Sequence, residues 1–441
     1  MASSGPFPLE IIERIVYYLT HDWVGPDRKP PTPGIFKTWN RIAGGARYAT
    51  VDRAWQHAVE RETFAELHLN LRRLTDAEAI LIGVPRRRMY VRTIHLDVVL
   101  SCLSPKRSHT ETAEQRQRNY DTLQDTVEVC LSTLNHWTHR PPVKLCLDAF
   151  MPMKDGYHAE SPPSSALPHS VKYRWMLELQ DLERVLRYGP VNAVNEIDMQ
   201  RNMQVGRPIS GAAVCTLLAR LPAARKVDIN WWWDASDHDH SNKRRAFAQA
   251  LGKVTHAIDT FHIAGMYPEE AFGVISQRLQ HLYLYGLVVD DSIFLQYNSP
   301  PEMMSSPAHW ARLETFDLNY LPITPFNEWL FHPDLRNLDG ESEPTIADPV
   351  LQRWYLAAAR AALEMPLLRN MRIIAEMSHY SGWHKFWYHR DAKNKVVKAI
   401  WTSNSGFMPE NEVLAAWQDV ARKHMDGTEL VVEILQDKWA V

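Results

Sequence analysis

Several residue types that mark whole classes of protein are scarce or missing here. Four cysteines occur in 441 residues, Cys102, Cys130, Cys146 and Cys215, and no two stand at metal-binding or redox spacing. That pattern excludes a disulfide framework and points to a reduced, intracellular protein, cytoplasmic or nuclear. Glycine is limited to 18 residues, and no glycine-rich phosphate loop, nucleophile elbow or His-Glu-x-x-His run is present. The local signatures of phosphate binding, serine hydrolysis and zinc proteolysis are therefore all absent. No apolar run approaches the roughly 18 residues that a membrane-spanning helix needs. The first residues also lack the basic start and apolar core of a secretory signal. Charge of one sign is missing too: 49 Lys and Arg face 52 Asp and Glu, a formal net charge of −3. A general nucleic-acid or anionic-membrane binder would carry a basic field instead. These absences lead us to expect no enzyme, no cofactor, no nucleic acid and no membrane.

What is present is enough apolar material, 45% of the chain, to bury a large core over two or three domains. One short pattern recurs: apolar, two residues, apolar, one residue, apolar. It occurs at Val91–Leu96, Val194–Met199, Ala224–Ile229, Ile258–Ile263, Leu279–Leu284, Leu313–Leu318 and Leu368–Ile373. Pro142–Leu147 is a weaker copy with proline in the first apolar place. The alternation at the end of each copy predicts a short strand with two inward residues. Helical patterns lie between copies: Leu123 to Leu134, Trp175 to Leu186, a helix capped by Ser210, one through Phe247 and Leu251, and one opening at Asp348-Pro349. Near the C-terminus, His384–His389 and Val396–Thr402 predict a hairpin, followed by a helix from Pro409 and a strand at Leu430–Leu435.

A helix followed by such a strand, repeated, resembles a leucine-rich repeat array, in which each unit buries its apolar face on its neighbours. The intervals are irregular, with insertions such as Ser101–Asp121 and Pro152–His169. At the N-terminus, Phe7-Pro8-Leu9-Glu10-Ile11 opens a helix with Leu9, Ile12, Ile15, Val16 and Leu19 on one face. Further on, Val51-Asp52-Arg53-Ala54-Trp55 begins a second amphipathic stretch ending on Phe64. Together these segments resemble an F-box, with a longer, proline-rich connection between Thr20 and Arg47 than is usual. The combination is similar to the F-box-like proteins of filamentous fungi. The expected fold class is α/β, in three parts: a helical F-box-like domain at 1–70, an irregular leucine-rich-repeat-like solenoid at 71–377, and a hairpin–helix–strand cap at 378–441. The resemblance implies a substrate-recognition adaptor of a Skp–cullin–F-box ubiquitin ligase, binding a Skp-family adaptor protein through its N-terminal helices. The alternative is a non-catalytic repeat scaffold outside the ubiquitin pathway.

Candidate site residues follow from both halves. The adaptor surface would comprise Pro8, Leu9, Ile11, Ile12, Ile15, Val16, Leu19, Val51 and Trp55. If the apolar residues of each copy point inward, the alternating ones line the opposite face. In order these are His95, Cys146, Asp198, Asp228, His262, Tyr283, Asp317 and Arg372, with Asp97, Asp148 and Tyr285 two places further on. From them Asp97, Asp148, Asp198, Asp228, His262, Tyr283, Tyr285 and Asp317 are expected to meet an unknown protein target, as a carboxylate-rich wall interrupted by tyrosines. The Asp234–His240 run of Asp and His reads as a solvated loop rather than a metal site. His379, His384 and His389, spaced by five, read as surface and turn histidines. Trp231-Trp232-Trp233 is an unusual run with at least one ring free for solvent or a partner.

Overall fold

A computed structural model describes residues 9–20, 49–101, 111–137, 141–150, 177, 179, 184–185, 187–199, 207, 209–230, 240–256, 258–264, 278–288, 293–294, 310–321, 330–332, 345–346, 348–377, 382–403 and 407–436. All eight copies of the repeated pattern form strands. They supply β2 (Thr93–Val99), β3 (Val143–Phe150), β4 (Val194–Asp198), β5 (Lys226–Asn230), β6 (Thr260–Ala264), β7 (His281–Leu287), β8 (Thr315–Tyr320) and β11 (Asn370–Met377). Four more strands complete the sheet: β1 (Glu66–Leu69), β12 (Gly382–Asp391), β13 (Val396–Ser403) and β14 (Leu430–Gln436). The result is an open twelve-stranded sheet whose spatial order is the order of the chain, β1 to β8 and then β11 to β14. Every strand runs parallel to its neighbours except β12, which is antiparallel to β11 and β13. A separate two-stranded pair, β9 (Phe331–His332) and β10 (Thr345–Ile346), stands outside it.

Nine helices complete the mixed α/β fold among the described residues: α1 (Leu9–Thr20), α2 (Arg53–Ala65), α3 (Leu71–Ile82), α4 (Pro85–Tyr90), α5 (Ala113–Asn135), α6 (Gly211–Leu218), α7 (His240–Gly252), α8 (Asp348–Leu363) and α9 (Asn411–His424). Four of these helices open on a side-chain cap. Asp52, Asn70 and Ser210 each cap a helix by accepting the N–H three residues on. Thr112 and Gln115 form a reciprocal capping box at α5. This pulls the start of α5 back to Ala113, well before the apolar stripe that begins at Leu123. None of the described helices is long and apolar enough to cross a membrane.

The register explains why the repeated pattern is so regular. One inner row passes through Leu67, Ile94, Leu145, Ile197, Val227, Phe261, Leu282, Phe316, Met371, Tyr388, Ala399 and Val432, each opposite the next. From Ile94 to Ala399 these side chains are closed to solvent and share one core with α3 and α5 to α9. Burying each contributes about 1.5–3 kcal/mol, and a slip of one residue would turn the whole row outward. At the C-terminal end the core is aromatic: Trp354, Tyr355, Phe386, Tyr388, Trp401, Phe407 and Trp417 are all fully buried. The boundaries drawn at 70 and 377 both fall within this one sheet, since β1 lies before the first and β12 to β14 follow the second.

The N-terminal helices have their own small core. Ile12 and Val16 of α1 pack on Ala58 and Val59 of α2, with Ala49, Ala54 and Trp55 against them. Glu13 and Arg61 join the two helices by an ion pair. The unit is tied to the sheet, because α2 runs directly into β1. In addition, the buried Glu60 carboxylate receives both Arg86 (3.0 Å) and Arg87 (2.9 Å) of α4. Burial works against that charge, but the two guanidinium groups hold the Glu60 carboxyl below the usual range.

Candidate functional site

On the face opposite the core, the expected residues from His95 to Arg372 lie in register, and His68 of β1, which the repeated pattern does not reach, extends their row. His68, His95, Cys146, Asp198, Asp228, His262, Tyr283, Asp317 and Arg372 occupy one in-register row across nine adjacent strands. Asp97 and Asp148 are paired two positions further along, and Tyr285 is on the same face of β7. Asp148 and Asp317 are buried, however, while Asp97, Asp198, Asp228, His262, Tyr283 and Tyr285 are half-buried.

Nor is the face a bare wall of acid, because basic residues stand between the carboxylates. Lys144 Nζ lies 3.0 Å from Glu196 and 2.5 Å from Asp198, and Lys226 reaches Glu196 at 3.0 Å. Burial disfavours the Lys144 charge, yet hydrogen bonds and attraction from Asp198 and Glu196 raise its pKa overall. Burial likewise opposes the Glu196 charge, and Lys144 and Lys226 overcome it, lowering that pKa. His262 packs at a tilt against Tyr283, with ring centres 4.2 Å apart and planes inclined by 44°, and has Asp228 at 3.5 Å. Burial first, and Lys226 second, push its imidazole down to about 4, so it is neutral at pH 7. Burial raises both tyrosine hydroxyls.

Asp317 is the sharpest point of this face. One oxygen takes Arg372 at 2.7 Å. The other, Oδ1, is buried with no hydrogen-bond partner among the described residues. Burial outweighs the Arg372 attraction and raises the Asp317 carboxyl. A buried acceptor left unfilled costs about 1–3 kcal/mol, which a donor from a bound partner would recover.

The row continues past Arg372 into residues that the repeated pattern does not reach. Trp387 of β12 and Ile400 of β13 follow in register. Val431 and Leu435 of β14 stand on the same face at the sheet edge. Trp387 is 43% exposed and Leu435 50%. The face thus grades from histidines at β1 and β2, through compensated charge, to a mixed end where Trp387, Ile400, Val431 and Leu435 stand among His389 and the Lys398–Glu433 ion pair (2.7 Å). The signal was available in the alternation of β12 and β13, but those strands carry no copy of the six-residue pattern.

At the N-terminus, the residues expected at an adaptor surface divide into two sets. Ile12 and Val16 are buried between α1 and α2, and Ile15 and Trp55 are half-buried. Ile12 and Val16, with Trp55 packed against them, form the core that holds the helix pair together. Ile11, at 41% exposed, and Val51, at 61%, are open. Leu9 and Leu19 lie in α1. A cleft of about 380 Å³ beside Ile11 is lined by Glu10, Glu13, Arg14, Arg61, Glu62 and Arg92. Pro8, the Trp231–Trp233 run, Asp234 to Asp239 and His379 lie outside the described residues. His384 departs from its reading as a surface histidine: it is fully buried, with Nε2 2.6 Å from the Tyr355 hydroxyl. His389 does sit on the open face, bonded to Asn370 at 2.7 Å.

The arrangement defines a mixed α/β protein with a broad, continuous sheet face. Residues 241–439, from α7 through β14, match a family of unknown function, DUF6546. No curated protein matches the chain.

Proposed function

We propose that this chain is a non-catalytic recognition subunit, the substrate adaptor of a Skp–cullin–F-box ubiquitin ligase, built as an irregular leucine-rich-repeat-like solenoid. The observation that carries the reading is the unbroken register of one row across strands that follow each other in chain order. Stacked units that each contact only their sequence neighbours generate such a surface, and such surfaces are used to hold extended partners. Trp387 supplies an exposed aromatic anchor at one end of it, and the unfilled Asp317 oxygen asks for a donor from the target. The F-box-like half of the reading rests on two helices with their own small core that leave Ile11 and Val51 exposed. In this role the chain places target lysines near a ubiquitin-charged enzyme, raising their effective concentration without performing the transfer itself. It would work in the cytoplasm or nucleus.

One observation favours the second reading, a scaffold outside the ubiquitin pathway whose helix pair only caps the sheet. Ile12 and Val16 are spent on the internal core, and Glu60 fastens the pair to α4. Co-expression of the full chain with a fungal Skp-family adaptor, followed by gel filtration, separates the two. A one-to-one complex that disappears in the Ile11→Asp/Val51→Asp variant is the expected result. Elution of the wild-type chain alone would leave the scaffold reading standing.

A further inference from the structure

The histidine end of the open face brings several metal-ligating side chains together on β1 and β2. Glu66 and His68 stand two apart on β1 and so share a face. His68 is the direct register partner of His95 on β2, and Asp97 follows two places later on the same face. The two imidazoles stack with centroids 4.4 Å apart and planes inclined by 20°. One donor atom each from Glu66, His68 and His95 lies within 4.8 Å of the others. The Asp97 carboxylate is 3.8 Å from Nδ1 of His68.

We propose that Glu66, His68 and His95 form a binding site for a divalent transition metal, with Zn²⁺ the best match, and that Asp97 is its supporting carboxylate. Two imidazoles and a carboxylate are the donor set of borderline ions such as zinc, and open coordination positions remain for water. A tetrahedral zinc site with bonds near 2.0–2.1 Å needs donors about 3.3 Å apart. Glu66 is exposed, so its carboxylate can turn toward the histidines. His95 is buried, so the histidine pair is held by the sheet rather than by mobile rotamers. Asp97 lies 3.8 Å from Nδ1 of His68, near enough to close onto that nitrogen and orient the ring when a metal is held, the usual arrangement around a ligating histidine. Glu66 is exposed and His68 and Asp97 are half-buried, so the donors lie at the rim of the sheet. A metal here would join the edge strand β1, which follows directly on α2, to β2.

The test uses the full chain, stripped with chelator and titrated with Zn²⁺ by calorimetry and with Co²⁺ by visible absorption. One equivalent of Zn²⁺ binding at micromolar affinity or better is expected, with the d–d bands of a low-coordinate N/O cobalt site. His68→Gln/His95→Gln should abolish both signals. Glu66→Gln, a change at an exposed residue that leaves the fold intact, should weaken binding at least tenfold, and Asp97→Asn by about tenfold. His136→Gln, at an exposed histidine elsewhere, should change neither. The proposal is overturned if no stoichiometric binding occurs, if Glu66→Gln leaves affinity unchanged, or if the signal is lost instead in His238→Gln/His240→Gln.

Discussion

His384 lies against Tyr355 and Phe407 with no exposed surface, and burial pushes its imidazole down to about 3. His424 is a second such site. Tyr388 donates its hydroxyl to Nδ1 of His424 (2.8 Å), while its Nε2–H donates to the Ala362 carbonyl (3.0 Å), and its pKa falls to about 4. His262 on the open face is also lowered to about 4. In the unfolded chain all three would titrate near the ordinary histidine value of about 6.5. Between pH 6.5 and 4 the unfolded state therefore binds more protons, so stability rises with pH and is lost as pH falls. Each histidine contributes a slope of up to about 1.4 kcal/mol per pH unit within that window. Denaturant midpoints measured at pH 7.5, 6.0 and 5.0 should fall steadily, and His384→Gln should reduce the slope by the share of one proton. A flat profile would mean that these sites accept protons while folded. Below about pH 4.5 the protonation of Glu60 and Glu196, both depressed in the folded chain, adds to the loss.

The elements follow the six-residue pattern closely because it encodes the register as well as the strand: its last two apolar places feed successive rows of one core. What it does not encode is a correction to that register. In β7, Tyr285 pairs with Asn319 and Leu287 with Tyr320, so Gly286 is skipped and bulges at φ +63°. Without the bulge Leu287 would point to the open face; with it, the side chain is buried in the core. An L-residue in that backbone conformation costs about 1–2 kcal/mol, so Gly286→Ala should lower urea stability by that amount, although a Cβ there meets nothing within 4 Å. A loss of several kcal/mol would indicate a register shift rather than local strain. The features hidden from the sequence share this cause: they depend on neighbours in space. β1 is only four residues long and carries no copy of the six-residue pattern, the start of α5 is fixed by Thr112 and Gln115 rather than by apolar spacing, and the basic run at Arg86–Arg88 becomes α4 around Glu60. The expected outward row, by contrast, was legible through Arg372 because period-two alternation alone dictates it. Ile12 and Val16 illustrate the opposite case, since an apolar helix face does not say whether it meets its own chain or another.

At the scale of the whole molecule, a sheet in chain order means that each strand's hydrogen bonds go to strands next to it in sequence, with β8 and β11 the one step across an interval. Stability should then be regional, a sum of local burial and neighbour interfaces rather than one all-or-none transition. The aromatic end makes this testable. Trp417 of α9 is fully buried, with Phe386 at 4.6 Å and Tyr388 at 5.2 Å between ring centres. Trp417→Ala should cost about 3–5 kcal/mol locally. Amide hydrogen exchange should accelerate across α9 and β12 to β14, while β2 to β4, linked to that end only through the intervening strands, keep their protection. That outcome would also mean that damage to the C-terminal core leaves the N-terminal part of the sheet folded. If exchange instead rises uniformly from β2 to β14, the sheet folds as a single cooperative unit. A partner bound at Trp387 would then be coupled energetically to the surface at Ile11 and Val51.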